Sequence, residues 1–252
     1  MRKSLILFIF LLLVLTSLAC GPVGTQRDII FQSAPLLTLS AGDFEGDTKC
    51  AELKNKGDFG LGTFNGLDGE MVMLEGVIYR VRHDGSVQMA GDGEKTPFAA
   101  VTYFDEDLEF IIAEADSFAR FQELLDAKLP STNLFYAVRV MGTFSYIKAR
   151  SVPKFTEPYP TLAEAVKSQS VFEFNNIEGT MVGFRCPHYI GEVNVAGYHM
   201  HFISGDRKGG GHVLDCRLAD NLVHVDDAKS LYLDTMLDAD FDPGRADAQG
   251  TE

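Results

Sequence analysis

Three of the chain's six histidines fall in one stretch, GYHMHFISGDRKGGGHVLD, which runs from Gly197 to Asp215. Side chains alternate faces along an extended strand, so His199 and His201 share a face and Met200 takes the other. The polar, glycine-rich segment Ser204 to Gly210 is a natural reversal. The return through Gly211, His212 and Val213 then runs antiparallel and brings His212 opposite the first pair. Three imidazoles on one face of a hairpin make a tripod for a metal ion. Neutral imidazole suits Zn2+, and three protein ligands leave a position open, which is the arrangement of a catalytic rather than a structural site. A His-X-His pair alone is often just two solvated side chains. The third histidine across the turn is what turns the pattern into a ligand set. Asp215 faces away from His212, and Cys216 lies too far along the strand to join. His83 in an Asp-Gly turn, His188 beside Pro187 and His224 in an alternating strand read as structural.

Other motifs fall short. Gly209-Gly210-Gly211 is not followed by Lys-Ser/Thr, so no phosphate-cradling loop is indicated. Gly91-Asp92-Gly93 suggests a thiamine-diphosphate motif, but Asn175-Asn176 is too far downstream to complete it. A cupin-type His-X-His site needs a Glu shortly afterwards, where this chain has Ile203, Ser204 and Gly205.

The elements that must position the tripod are mostly strands. EMVMLEGVIYRVRHDGSVQMAG alternates and turns at Asp84-Gly85, a hairpin signature. FAAVTYFD and NLFYAVRVMGTFSYIKAR add further strands. VFEFNNIEGTMVGFRCP, GYHMHFIS and GHVLDCRLADNLVHVDD follow. Two helices stand out: DSFARFQELLDAKLP, with a polar start, helical apolar spacing and a Pro stop, and the shorter YPTLAEAVKSQ. Gly57 to Gly69, GDFGLGTFNGLDG, reads as a bent, closely packed loop. The fold class expected is α+β: two sheet-based domains with few helices, the metal site lying on a C-terminal β-hairpin. The domains expected are 41–155 and 156–237, preceded by a tether over 20–40 and followed by an acidic tail over 238–252.

The 252 residues are 46% hydrophobic and 23% charged, enough apolar material for a substantial core. A net charge of −14 disfavours a nucleic-acid partner, because phosphate binding needs a basic surface. Residues 1–19 read as a signal peptide, with Arg2 and Lys3, an apolar run from Leu5 to Leu15, and small residues at Ser17 and Ala19. The chain is therefore expected to be exported, whether secreted, periplasmic or held at the cell surface. Cys20, followed by Gly21, resembles the lipidated cysteine of a bacterial lipoprotein, so a lipid anchor at Cys20 and plain secretion both stay open. Cys50, Cys186 and Cys216 permit one disulfide in an oxidising compartment.

GDFGLGTFNGLDGEMVMLEGVIYR, GTFSYIKARSVP, EGTMVGFR and the histidine stretch occur together and in order. In that combination the chain resembles the bacterial alpha-acetolactate decarboxylase family. The resemblance implies zinc-dependent, non-oxidative decarboxylation of 2-acetolactate to acetoin and carbon dioxide, in a two-domain fold and a homodimer. It carries the three metal ligands to His199, His201 and His212, and catalytic roles to Glu70 of LDGEM and Arg150 of SYIKARSVP. The C-terminal glutamate that family members place near the metal falls on Glu252. By residue type alone, Arg150 is a surface cation on a strand and Glu70 a turn carboxylate. The implied chemistry is coherent. Losing carbon dioxide leaves charge on a carbon next to a ketone, and a Lewis acid absorbs it without an organic cofactor. The planar fork of Arg150 suits the carboxylate or the developing charge, and Glu70 suits the proton that quenches it. Two rivals use the same tripod. A zinc hydrolase or hydratase would turn over esters or carbon dioxide instead, and a non-catalytic metal-binding lipoprotein would lack the open coordination position.

Overall fold

The computed structural model describes residues 27–235 and 241–247. The expected signal peptide, Cys20, the ends of the acidic tail and Glu252 lie outside the described residues. The first eight strands are β1 (Ile29–Ser33), β2 (Thr48–Lys49), β3 (Phe59–Thr63), β4 (Glu70–Leu74), β5 (Val77–Val81), β6 (Val87–Met89), β7 (Lys95–Thr96) and β8 (Ala99–Thr102). The longer strands β9 (Leu108–Ala115), β10 (Phe135–Ser151), β11 (Ser170–Cys186), β12 (Gly197–Ser204) and β13 (Gly210–Ala228) follow, then β14 (Ser230–Asp234). Helices are few and short. The longest among the described residues, Phe118–Asp126, is capped by the Ser117 side chain, which accepts from the Arg120 N–H.

Two sheets carry the fold. One has seven strands in the order β14-β1-β8-β3-β4-β5-β6. In the other, β10, β11, β12 and β13 pair in succession, and β10 pairs again with β13, so four strands close on themselves while β9 extends β13. Inside that closed sheet lie Phe144, Ile147, Met181, Met200, Phe202 and Cys216. Its outer surface, with Ala137, Val182, Phe184 and Ile203, shares a core with Phe59, Leu61, Val72 and Leu74 of the seven-stranded sheet. Alternation along β4 puts Glu70 on the same side as Val72 and Leu74, facing the closed sheet. Met71 and Met73 face the third cluster, with Phe64 and Ile78.

Three expectations need correction. The tether over 20–40 is wrong for its second half: β1 lies between β14 and β8, and Ile30 and Phe31 are buried. The boundary at 155 does not separate the sheets. β9 and β10 precede it yet belong to the closed sheet, and β14 follows it yet pairs in parallel with β1. The Gly57–Gly69 loop contains β3. Gly60 and Gly62 are there because the neighbouring strand comes close: a Cβ at Gly62 would lie 2.4 Å from the Phe98 carbonyl oxygen. The cysteine arithmetic also resolves against a bridge, since Cys50, Cys186 and Cys216 are all free and buried.

Candidate metal centre

The hairpin β12–β13 pairs His201 with His212, Phe202 with Gly211 and Ile203 with Gly210. On the other side of β12, Val182 pairs with His201 and Phe184 with His199. Val182 and Phe184 belong to the core shared by the two sheets, so both histidines face the seam between them. The three rings form a near-equilateral cluster, with centroids 5.0, 4.9 and 5.2 Å apart. One ring nitrogen from each lies within 4.8 Å of the others.

Gly211 explains the glycine run before His212. Its φ is +136°, and a Cβ there would lie 2.5 Å from the Arg150 carbonyl oxygen. Only glycine lets β13 press this close to β10 and so hold His212 beside its cross-strand neighbour Arg150.

Burial holds all three imidazoles below their ordinary range. His201 falls to about 3, through burial and then the Arg150 charge, partly offset by its hydrogen bond to Met71. His199 and His212 are also driven well down, first by burial, then by Arg150 and the neighbouring rings. The rings are therefore neutral at neutral pH, the state in which imidazole offers a lone pair. His201 Nδ1 is 2.7 Å from the Met71 carbonyl oxygen. Donation from Nδ1–H fixes the tautomer and leaves the Nε2 lone pair toward the cluster. His201 Nε2 and His199 Nδ1 are buried without a hydrogen-bond partner. Orphaned buried nitrogens are costly unless something takes their lone pairs. Three neutral imidazoles, two of them with an orphaned ring nitrogen, fit a zinc ion.

Glu70 and Arg150 come from different sheets and meet at this cluster. Arg150 Nη1 donates to Glu70 Oε1 at 3.0 Å, and both side chains are largely buried. Glu70 Oε2 is 3.5 Å from His201 Nε2, too long for a hydrogen bond. Burial raises the Glu70 carboxyl above its ordinary range, and Arg150 pulls it partly back.

A second group, Glu106, Glu109 and His224, has the same ligand spacing. Its imidazole is already engaged on both edges. Nδ1 is 2.8 Å from Glu106 and 2.8 Å from the Arg139 guanidinium, and Nε2 is 3.1 Å from Glu109. The guanidinium opposes a cation, so this is a charged ladder across β10, β13 and β9. The Met71 carbonyl is the part of the first site that residue types cannot announce, because any residue supplies one.

The sequence model of the family described as alpha-acetolactate decarboxylase matches residues 30–246. The chain belongs to this family. The alpha-acetolactate decarboxylase of Methanosarcina mazei is 45% identical over 218 residues, covering 86% of this chain and 76% of the relative. That of Methylococcus capsulatus is 41% identical over 225 residues, covering 87% and 86%. The crystal structure of acetolactate decarboxylase from Bacillus subtilis subspecies spizizenii superposes with a TM-score of 0.82 at 38% identity, covering 87% of this chain and 97% of that one. As a member of the alpha-acetolactate decarboxylase family the chain is a lyase, and loss of carbon dioxide from acetolactate is the reaction its site must support.

Proposed function

We propose that the chain converts 2-acetolactate to acetoin with a zinc ion held by His199, His201 and His212. The observation that carries this reading is the pair of orphaned buried nitrogens on His199 and His201, in a cluster of neutral rings beside a buried Arg–Glu pair. A zinc ion supplies a Lewis acid for the charge that decarboxylation releases. The chain's own residues do the rest. The Arg150 guanidinium offers several N–H donors, of which one engages Glu70. The others can take the substrate carboxylate or an oxygen on which charge grows. When the bond to the carboxyl carbon breaks, its electron pair delocalises toward the neighbouring ketone oxygen, and the carbon must then take a proton. Glu70, buried beside Arg150 and His201, would hold or deliver that proton from one face. The seam between the sheets keeps bulk water from competing for it.

The test is incubation of purified protein with racemic 2-acetolactate, following acetoin and carbon dioxide, with and without a chelator. His212→Ala should lose most bound zinc and nearly all acetoin formation. Full zinc occupancy in that variant, or turnover indifferent to the chelator, sinks the zinc reading. The same proposal takes the chain to be exported, on the character of residues 1–20, and homodimeric, on the family resemblance. Light scattering of the mature protein reads the second directly.

A further inference from the structure

β4 lends two groups to the histidine cluster, the Glu70 carboxylate and the Met71 carbonyl, and both follow at once on a tightly specified turn. Gly66, Leu67 and Gly69 all have positive φ, at +70°, +56° and +93°. Leucine seldom adopts that conformation, so surrounding contacts must hold the turn in place. Several do. Gly66 N–H donates to the Phe44 carbonyl at 2.8 Å, and Phe155 N–H donates to the Gly66 carbonyl at 2.7 Å. Thr63 Oγ1 donates to the Gly69 carbonyl at 2.8 Å.

The last residue before Gly69 is Asp68, and each of its oxygens takes a different guanidinium. Arg80 Nη1 donates to Oδ2 at 3.2 Å, and Arg82 Nη1 donates to Oδ1 at 3.0 Å. Arg80 also pairs with Glu94 and stacks over Phe64, 4.0 Å from the ring centroid. The Arg80 and Asp68 side chains are only 8% and 12% exposed. Met71 pairs with Arg80 and Glu70 with Val81. The network therefore grips the sheet from the face opposite Glu70.

A buried ion network is an expensive way to gain stability, since apolar packing of similar volume commonly does as well. What charges add is directional geometry at one place. Here that place lies two residues from Glu70 and three from the carbonyl that orients His201.

We propose that Asp68, bridging Arg80 and Arg82, is a positioning residue for the decarboxylation: it fixes the β3–β4 turn so that β4 sets the Glu70 carboxylate and the Met71 carbonyl against His201. The inference rests on the catalytic role proposed above for Glu70.

Asp68→Asn keeps the shape and removes the charge that holds both arginines. The variant is assayed on 2-acetolactate in saturating zinc, well below its unfolding midpoint, beside wild type and Glu70→Gln, with zinc affinity measured by chelator competition. A shifted orienting group typically costs tenfold or more, so kcat should fall at least about tenfold. KM should stay within roughly threefold, as befits a loss confined to the transition state. Weaker zinc binding would assign part of the effect to the Met71 carbonyl, and unchanged zinc binding would assign it to Glu70. A kcat at the wild-type level, whatever the change in unfolding temperature, overturns the proposal and returns Asp68 to a purely structural role. If Asp68→Asn does not fold, Arg82→Gln decides by the same criterion, because the Arg82 side chain is 34% exposed and tolerates replacement. Wild-type turnover in Glu70→Gln sinks the Glu70 reading and this inference together. Wild-type turnover in Asp68→Asn beside an inactive Glu70→Gln sinks this inference alone.

Discussion

Asp226 should make the protein less stable as pH rises from about 4 to about 7, and Asp226→Asn should remove that loss. The residue is 1% exposed on β13. Its Oδ2 accepts from the Asp105 N–H at 3.1 Å, while Oδ1 is buried without a partner. Burial pushes its carboxyl up to about 7, with Asp107, Asp28 and Asp105 adding to the rise against the pull of the Asp105 N–H. An aspartate in the unfolded chain titrates near 3.9. Between that value and about 7 the folded state holds one more proton than the unfolded state, so the slope of stability with pH is negative across this window. Below the window both states are protonated, and above it the full cost is present. Three units at ~1.4 kcal/mol each would be ~4 kcal/mol. The surrounding carboxylates are partly hydrated and paired with Arg27 and Lys229, so screening brings the figure to about 2 kcal/mol. For a chain of this size that is about 4–8 °C in unfolding temperature. The assay is thermal unfolding of wild type and Asp226→Asn from pH 4 to 9. The variant should match wild type near pH 4, begin to exceed it by about pH 5, and exceed it by that margin at pH 8. Parallel curves would refute the reasoning, because general charge repulsion acts on both proteins and cancels in the difference.

Arg150→Lys keeps the charge but loses the fork, so kcat should fall by about tenfold or more with a smaller change in KM. Glu70→Gln should lose turnover, and with it selectivity for one acetoin enantiomer, while both variants still hold zinc. Metal content, steady-state rates and chiral analysis of acetoin check this pair, and wild-type rates in both would leave only the histidines with a role. Mass spectrometry of the mature N-terminus should find cleavage before Cys20, with a lipid adduct on Cys20 if the chain is anchored. A retained Met1 would end the export reading.

The histidine hairpin was legible because its information is local. Alternation along β12, a polar reversal and a short return determine which side chains share a face, and the observed register pairs His201 with His212. The two helices and the Asp84-Gly85 turn were legible for the same reason. What was hidden depends on partners distant in sequence. Nothing in the alternation of FYAVRVMGTFSYIKARS says that β10 will pair with both β11 and β13 and close a sheet across a presumed domain boundary. The strand Ile29–Ser33 passed as tether because its partners, β8 and β14, lie far along the chain. The glycines of β3 read as loop because glycine marks a bend and a close backbone approach with the same letter. The Glu70–Arg150 pair is legible only by resemblance, since its members sit 80 positions apart in different sheets.

That separation explains why the site lies at the seam. A tripod on the outer face of a closed sheet would, by itself, be an exposed set of imidazoles titrating near 6.5, half protonated in mildly acid surroundings. Covering it with β4 changes three things at once. Burial lowers the imidazole pKa values, so the lone pairs are free for a metal over the whole neutral range. The Met71 carbonyl selects one tautomer of His201. Glu70 arrives with the strand and is held by Arg150 of the opposite sheet. Neither sheet supplies this set unaided: the closed sheet contributes the histidines and the guanidinium, and the seven-stranded sheet contributes the carboxylate and the orienting carbonyl. On the proposed reading, packing between the sheets is part of the chemistry, and a substitution that loosens the seam at Val72 or Val182 would reach the reaction through geometry before it unfolded the chain.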